Sequence, residues 1–278
     1  MGTTMKAPDF DYLRPSNLDE ALGMMADSQG DTMPLAGGQS LMPMMNFRIA
    51  APDALIDLAD VTEMRGITHE YDSIKIGAMT SYTQLMSDPI VSTKIPLFGL
   101  AIPHIAHDAI RNRGTIGGSL ALADPAAEMP ALMLTLDATI EVAGKTGPRK
   151  IKADDFFLGY FDTALEDDEL IVAIHIPTPN SDHQFGFHEL TQRHGDYALA
   201  GVAIAVSDNS YRVALFGVAD RAMRVPMVEA ELARGGNMKA VLDSLKDIEF
   251  SSDLKANGTT RQRLAKVALA RAIERMTL

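Results

Sequence analysis

The sequence predicts an α+β protein in two parts, and three observations carry that prediction. Apolar residues in the first 177 positions switch repeatedly between strand-like and helix-like spacing, so sheets and helices are interleaved there. Pro177-Thr178-Pro179-Asn180-Ser181 suits neither element and reads as a linker. Three strand patterns then follow in a row, at Gln184–Leu190, Ala198–Val206 and Tyr211–Val218, with only helices after them. The expected division is therefore residues 1–177 and 178–278.

In chain order, Ser16 is expected to cap a helix on which Leu18, Ala21, Leu22 and Met25 share a face. Thr32–Ala36 reads as a short strand running into a glycine pair, and Ala54–Leu58 as a buried strand after Pro52. Ile74 and Ile76 alternate with Lys75 in the next strand. Tyr82–Ser87 and Lys94–His107 have helical spacing, with Pro96 and Pro103 breaking the second into pieces. Ala138–Ala143 and Glu169–Ile176 alternate as strands. Past the linker, a helix over Pro226–Arg234 is stopped by Gly235-Gly236, and a second covers Met238–Lys246. The last helix, Thr260–Met276, has a stripe of Leu264, Ala268, Leu269, Ala272, Ile273 and Met276. Arg261, Arg263, Lys266, Arg271 and Arg275 fall on its other faces, where solvation is the plain expectation and docking of an acidic partner the sharper one.

Composition narrows the function classes. A net charge of −12 disfavours nucleic acid and anionic membrane surfaces as partners. No apolar run approaches the ~20 residues that span a bilayer. The opening MGTTMKAPDF has neither a basic nor an apolar leader region, so a cytoplasmic protein is expected. The chain has no cysteine, which excludes disulfides, thiolate metal sites and ordinary iron–sulfur clusters. Its seven histidines lack ligand spacing, so no metal is expected. Seventeen methionines without a tryptophan read as adaptable core filling. No Ser-His-Asp or paired-carboxylate pattern marks a catalytic residue.

Two glycine stretches carry the functional signal. Between Arg111 and Leu136 the chain reads RNRGTIGGSLALADPAAEMPALMLTL. Its small-residue run, Gly114-Thr115-Ile116-Gly117-Gly118-Ser119, can point successive backbone N–H groups into one anion-binding concavity. A helix from Pro125, carrying Met129, Leu132, Met133 and Leu136, is expected just downstream. Pro34-Leu35-Ala36-Gly37-Gly38-Gln39-Ser40-Leu41 repeats the plan. Two such loops can grip one diphosphate from two sides through backbone N–H and hydroxyl groups.

At this level of detail the chain resembles a known family. AGGQSLMPMMNFRIAAPDALIDL, RNRGTIGGSLALADPAAEMPALM and Arg193-His194-Gly195-Asp196-Tyr197-Ala198 are similar to segments of the FAD-binding medium subunit of molybdenum hydroxylases, the family of carbon monoxide and xanthine dehydrogenases. The resemblance implies a p-cresol-methylhydroxylase-type FAD-binding fold of two subdomains, dividing near residue 58, and a C-terminal three-stranded sheet with helices. It implies a diphosphate between Leu35, Ala36, Gly37, Gly38, Gln39, Ser40 and Leu41 on one side and Thr115, Ile116, Gly117, Gly118 and Ser119 on the other. Asp124 and Glu128 would lie near the nucleotide, and Ile105, Leu165 and Tyr197 near the isoalloxazine. Three departures stand out: Gln39 and Leu122 replace histidines of the family pattern, and Glu189, beside His188, replaces a lysine near the ring.

The implied role is electron transfer through FAD to an external acceptor. Implied partners are a small subunit with two two-iron two-sulfur clusters and a large molybdopterin subunit, in a dimer of heterotrimers. A stand-alone flavin oxidase of the same fold and an assembly subunit without cofactor are the alternatives.

Overall fold

The computed structural model describes residues 6–276 except 29 and 181, so Ser181 of the predicted linker lies outside the described residues. Its first sheet is parallel, in the order β1 (Asp11–Leu13), β3 (Ala54–Asp57), β2 (Thr32–Leu35). Between β1 and β2 runs α1 (Leu18–Asp27). Its cap is Asn17, which accepts from Glu20 N, and not Ser16. Ser16 instead donates its own N–H and hydroxyl to the Glu20 carboxylate, so the box closes one residue later than expected. Leading out of β2, the first glycine loop enters a short helix, α2 (Leu41–Asn46).

The second sheet is antiparallel. β4 (Ile67–His69), β5 (Ser73–Gly77), β6 (Thr139–Gly144), β7 (Gly147–Lys152) and, after a small hairpin of β8 (Phe157–Gly159) and β9 (Asp162–Thr163), β10 (Leu170–Pro177) take the order β4-β5-β10-β6-β7. Six helices are inserted between β5 and β6. α3 (Tyr82–Ser87) has the boundaries its spacing predicts and a capping box of Ser81 and Gln84. α4 (Pro89–Lys94) and α5 (Pro96–Ala101) each begin on a proline, because a first-turn residue has no N–H to lose; Pro96 starts a helix where it was expected to interrupt one. α6 (Asp108–Arg113) and α7 (Ile116–Leu122) follow. α8 (Glu128–Thr135) starts three residues after Pro125, since Asp124 and Pro125 form the turn that precedes it.

All eight residues of α8 are buried, the signature of a helix that packs on every side. One side meets α5 and α7, and the other meets the third sheet. That sheet has four antiparallel strands where three were expected: β11 (Gln184–Leu190), β12 (Ala200–Ser207), β13 (Ser210–Phe216) and the two-residue β14 (Met223–Arg224). A two-residue strand is too short to leave a periodic signal. Alternation divides the faces of the third sheet. Phe185, Phe187, Ala203, Ala214 and Phe216 join the core around α5 and α8. Val202, Ile204, Val213 and Leu215 instead pack with Val228 of α10 (Pro226–Ala233), Val241 of α11 (Met238–Asp243), and Ala265, Leu269 and Ala272 of α12 (Gly258–Glu274). Burial on both faces explains why β12 is apolar almost throughout. Met45, Met64, Met129 and Met133 all sit in the interior, as core-filling methionines should. Among the described residues no helix is long and apolar enough to cross a membrane.

One basic residue of α12 departs from expectation. Arg261 is not solvated but 5% exposed. Its guanidinium donates to the carbonyls of Leu199 (2.8 Å) and Gly217 and to Asp253 Oδ2 (2.5 Å). The ends of β12 and β13 are thereby tied to the final helix. Removing this side chain strands two carbonyls, so Arg261→Ala should destabilise the protein by about 2–4 kcal/mol. Arg263→Ala, on the exposed face, should stay within about 0.5 kcal/mol in the same urea titration.

Candidate functional site: a cleft between two glycine segments

The loop after β2 and the start of α7 meet directly. Gly37 lies against the Arg113–Gly114 backbone, and a Cβ built on it would fall on the Arg113 carbonyl. Gly118 comes as near to the loop from the other side, with its Cβ position 3.4 Å from Ala36 Cβ. Two segments about eighty residues apart in sequence therefore form one junction, and a cleft of 720 Å³ opens from it.

The two glycine segments are not equivalent. The expected open loop at Thr115–Ser119 is instead the first turn of α7, with Thr115 as N-cap accepting from Gly118 N at 3.1 Å. Ile116 N donates to Thr80 O, Gly117 N to Ala78 O and Ser119 N to Thr115 O. All four amides are thus engaged within the protein. In the loop after β2 the opposite holds: among the described residues, the N–H groups of Gly37, Gly38, Gln39, Ser40 and Leu41 have no protein acceptor. Gly38 adopts a φ of 71°, a left-handed conformation that turns successive amides the same way. Gln39 folds back so that its side-chain amide donates to Gly37 O at 2.8 Å. The donors for an anion are concentrated on one loop, and α7 forms the facing wall with its hydroxyls.

Ala36, Gly37, Gly38, Gln39, Ser40 and Leu41 line the cleft on the loop side, and Thr115, Gly117, Gly118 and Ser119 on the α7 side. Asp124, Glu128, Ile105, Leu165 and Tyr197 complete the predicted residues that reach it. Three do not. Leu35 lies behind the wall, Ile116 points into the core at 0% exposure, and Glu189 is buried behind Glu128. Sequence reasoning missed Met79, Tyr82, Phe161 and Gly195–Asp196, which also line the cleft. Gly195 and Asp196 lay within a quoted motif; a lone Phe161 at φ 52° leaves no periodic trace.

The polar groups of the cleft respond to their burial. Tyr82 lies under Gly114 and meets the Ser119 hydroxyl, and burial raises its phenol well above the ordinary value. Asp124 accepts from Ala126 N at 2.9 Å and lies beside the Tyr197 phenol, and burial raises its carboxyl. Tyr197 is therefore not a core residue: its ring is half exposed while its oxygen turns inward to Asp124. Burial, followed by the charges of Asp124 and Glu128, pushes that phenol up to about 12.

Residues 8–179 match the FAD binding domain in molybdopterin dehydrogenase. Over almost the whole chain the protein is 34% identical to the caffeine dehydrogenase subunit beta of Pseudomonas sp. strain CBB1, covering 98% of this chain and 96% of that one. It is 35% identical to the nicotine 6-hydroxylase medium subunit of Paenarthrobacter nicotinovorans, with coverage of 97% and 98%. The chain belongs to the FAD-binding medium subunits of the molybdenum hydroxylases. Solved relatives share its shape: carbon monoxide dehydrogenase from Hydrogenophaga pseudoflava superposes with a TM-score of 0.92 at 36% identity, over 96% of this chain and 97% of that one. Quinoline 2-oxidoreductase from Pseudomonas putida 86 gives 0.91 at 36% identity, over 97% of each.

FAD, the cofactor of this medium-subunit family, fits what the cleft offers. Five unengaged amides suit a diphosphate, and apolar Ile105 and Leu165 suit a flat ring. Leu122 adds apolar wall only. Since the junction leaves no room for a side chain, Gly37→Ala should push the loop off α7 and destabilise the protein by about 1–3 kcal/mol. Thermal unfolding of the purified subunit checks this, and FAD titration should show weakened binding in the same variant.

Proposed function

We propose that FAD lies extended in this cleft, with its diphosphate on the Gly37–Leu41 amides and its isoalloxazine toward Ile105, Leu165 and Tyr197. The single observation that carries the reading is the row of unengaged amides on a loop locked against α7. Charge-assisted hydrogen bonds are worth about 1.5–3 kcal/mol each, so such a row can hold a diphosphate without lysine, even on a chain of net charge −12. Ser40, Thr115 and Ser119 add hydroxyls along the same wall. Bound FAD supplies the exchange between single-electron and paired-electron transfer. The chain's own residues bind it, orient it and exclude water from its ring.

The division of the chain follows from this placement. We assign residues 1–177 to a FAD-binding domain of p-cresol-methylhydroxylase type, with subdomains meeting near residue 58, where the parallel sheet ends and the antiparallel one begins. Residues 178–278 form the C-terminal flavoprotein domain. In the assembly, electrons come from a small subunit with two two-iron two-sulfur clusters, and hydroxylation takes place in a large molybdopterin subunit. A dimer of such heterotrimers in the cytoplasm is the expected form. This chain has no cysteine to hold a cluster itself. Relatives named for caffeine, nicotine, glyceraldehyde and carbon monoxide all stand at 34–35% identity, which supports substrate choice outside this subunit.

Native mass spectrometry of the purified assembly tests the reading. One FAD per copy of this chain is expected, together with two further polypeptides, iron and molybdenum. Colourless protein that takes up no added FAD would make it an assembly subunit, and turnover of a small substrate by this chain alone would make it a free oxidase. Valine at Gly118 places methyl groups against Thr115 Oγ1 and Ala36. Gly118→Val should therefore fold and lose its flavin absorbance, and full flavin occupancy in that variant would count against the site.

A further inference from the structure

Behind the cleft wall stands a pair of carboxyls that cofactor binding alone does not require. Glu128 opens α8 and Glu189 sits near the end of β11, at 6% and 7% exposure. The two carboxyls lie close enough for the charge of Glu189 to act on Glu128. Glu189 Oε1 faces His104 Nδ1 at 3.3 Å, whereas Oε2 is buried with no donor among the described residues. Two neighbouring carboxylates in a dry site resist being charged together, because mutual repulsion adds to the loss of hydration, and the second ionises only at raised pH. A single proton resolves both problems. If Glu128 carries it and donates to Glu189 Oε2, the orphan atom gains its partner and His104 is left facing the other oxygen.

Resting on the reading that FAD occupies this cleft, we propose that Glu128 and Glu189 hold one proton between them, and that losing it lowers the reduction potential of the bound flavin. Glu128 lines the cleft itself, so the charge of the pair is felt there. Burial, and after it the charge of Glu189, pushes the Glu128 carboxyl up to about 8. Below that pH the pair carries one negative charge and above it two. The second charge disfavours added electrons nearby.

Other groups face the pair. Asp124, Tyr82 and Tyr197 lie around Glu128. Both phenols are raised and stay neutral through this window. On the other side His104 stacks on His194 at 5.7 Å and sits near His188. Burial and the charges of Arg275 and Arg271, each 3.3 Å from the His188 ring, hold that imidazole down at about 4. It too is neutral and contributes no change.

The test is the flavin potential of the purified flavin-loaded assembly, followed by dye-equilibrated reduction at the flavin absorbance between pH 6 and 9.5. The wild-type plot should bend downward near pH 8. Glu128→Gln should lose the bend and Glu189→Gln should move it to lower pH, because burial still raises Glu128 without its partner's charge, whereas Asp124→Asn should keep it where it is. A straight wild-type plot, or the same bend in both glutamine variants, overturns the proposal while the flavin reading stands. Infrared spectra of the cofactor-free wild-type chain read the proton directly: a protonated-carboxyl band should vanish near pH 8 and be missing from Glu128→Gln. Absence of that band in the wild type also overturns the shared proton. Wild-type protein that binds no FAD at pH 6 overturns the flavin reading and with it the effect on the potential, and the infrared result then decides the shared proton by itself.

Discussion

The contact on which this molecule depends is a bare one, the Gly37 backbone resting on the carbonyl of Arg113. It joins the parallel sheet, whose β2 ends in that loop, to the turn between α6 and α7 in the helical insertion. Everything that lines the cleft is referred to it. Loop amides point into open space because the loop's other side is pressed against protein, and α7 is close enough to form the opposite wall because no Cβ intervenes. A second constraint holds the far end. α8 is buried on every side between the helical insertion and the third sheet, so Glu128 at its start cannot move away from the cleft.

Electrostatics divides the cleft into two ends with different chemistry. At one end the binding groups are neutral donors, which can hold an anion on an acidic protein because hydrogen bonds act at contact while the long-range field is screened by salt. At the other end the carboxyls of Asp124, Glu128 and Glu189 crowd together with Tyr197 and His104. Burial raises Asp124 and Glu128, so this end of the cleft is less negative than a count of carboxyls implies.

Much of the architecture was legible as pattern. α3 has the predicted boundaries and β11 the predicted span, because spacing and capping are local properties read by local forces. The two long motifs that carry the family resemblance fall within the match over residues 8–179, and relatives similar over almost the whole chain extend the family beyond it. Errors fall where a second partner decides. Asn17 displaced Ser16 as cap once Ser16 found the Glu20 carboxylate, and Arg261 left the solvent once two strand-end carbonyls lay within reach. β14 owes its existence to its pairing with β13 and to nothing periodic in its own two residues.

What the sequence determined by itself was the inventory: α and β elements in order, a cysteine-free acidic chain, two glycine pairs and the carboxyls beside them. Glycine pairs look alike on paper, since the absence of a side chain is the same fact in both. Only the tertiary structure decided their different roles, because whether an amide is free depends on which carbonyls pack around it. Thr80, Ala78 and Thr115 take the amides of α7, and no such neighbours reach the loop after β2. The same reason hid the nearness of Glu128, at the start of α8, to Glu189, near the end of β11, which are distant in sequence.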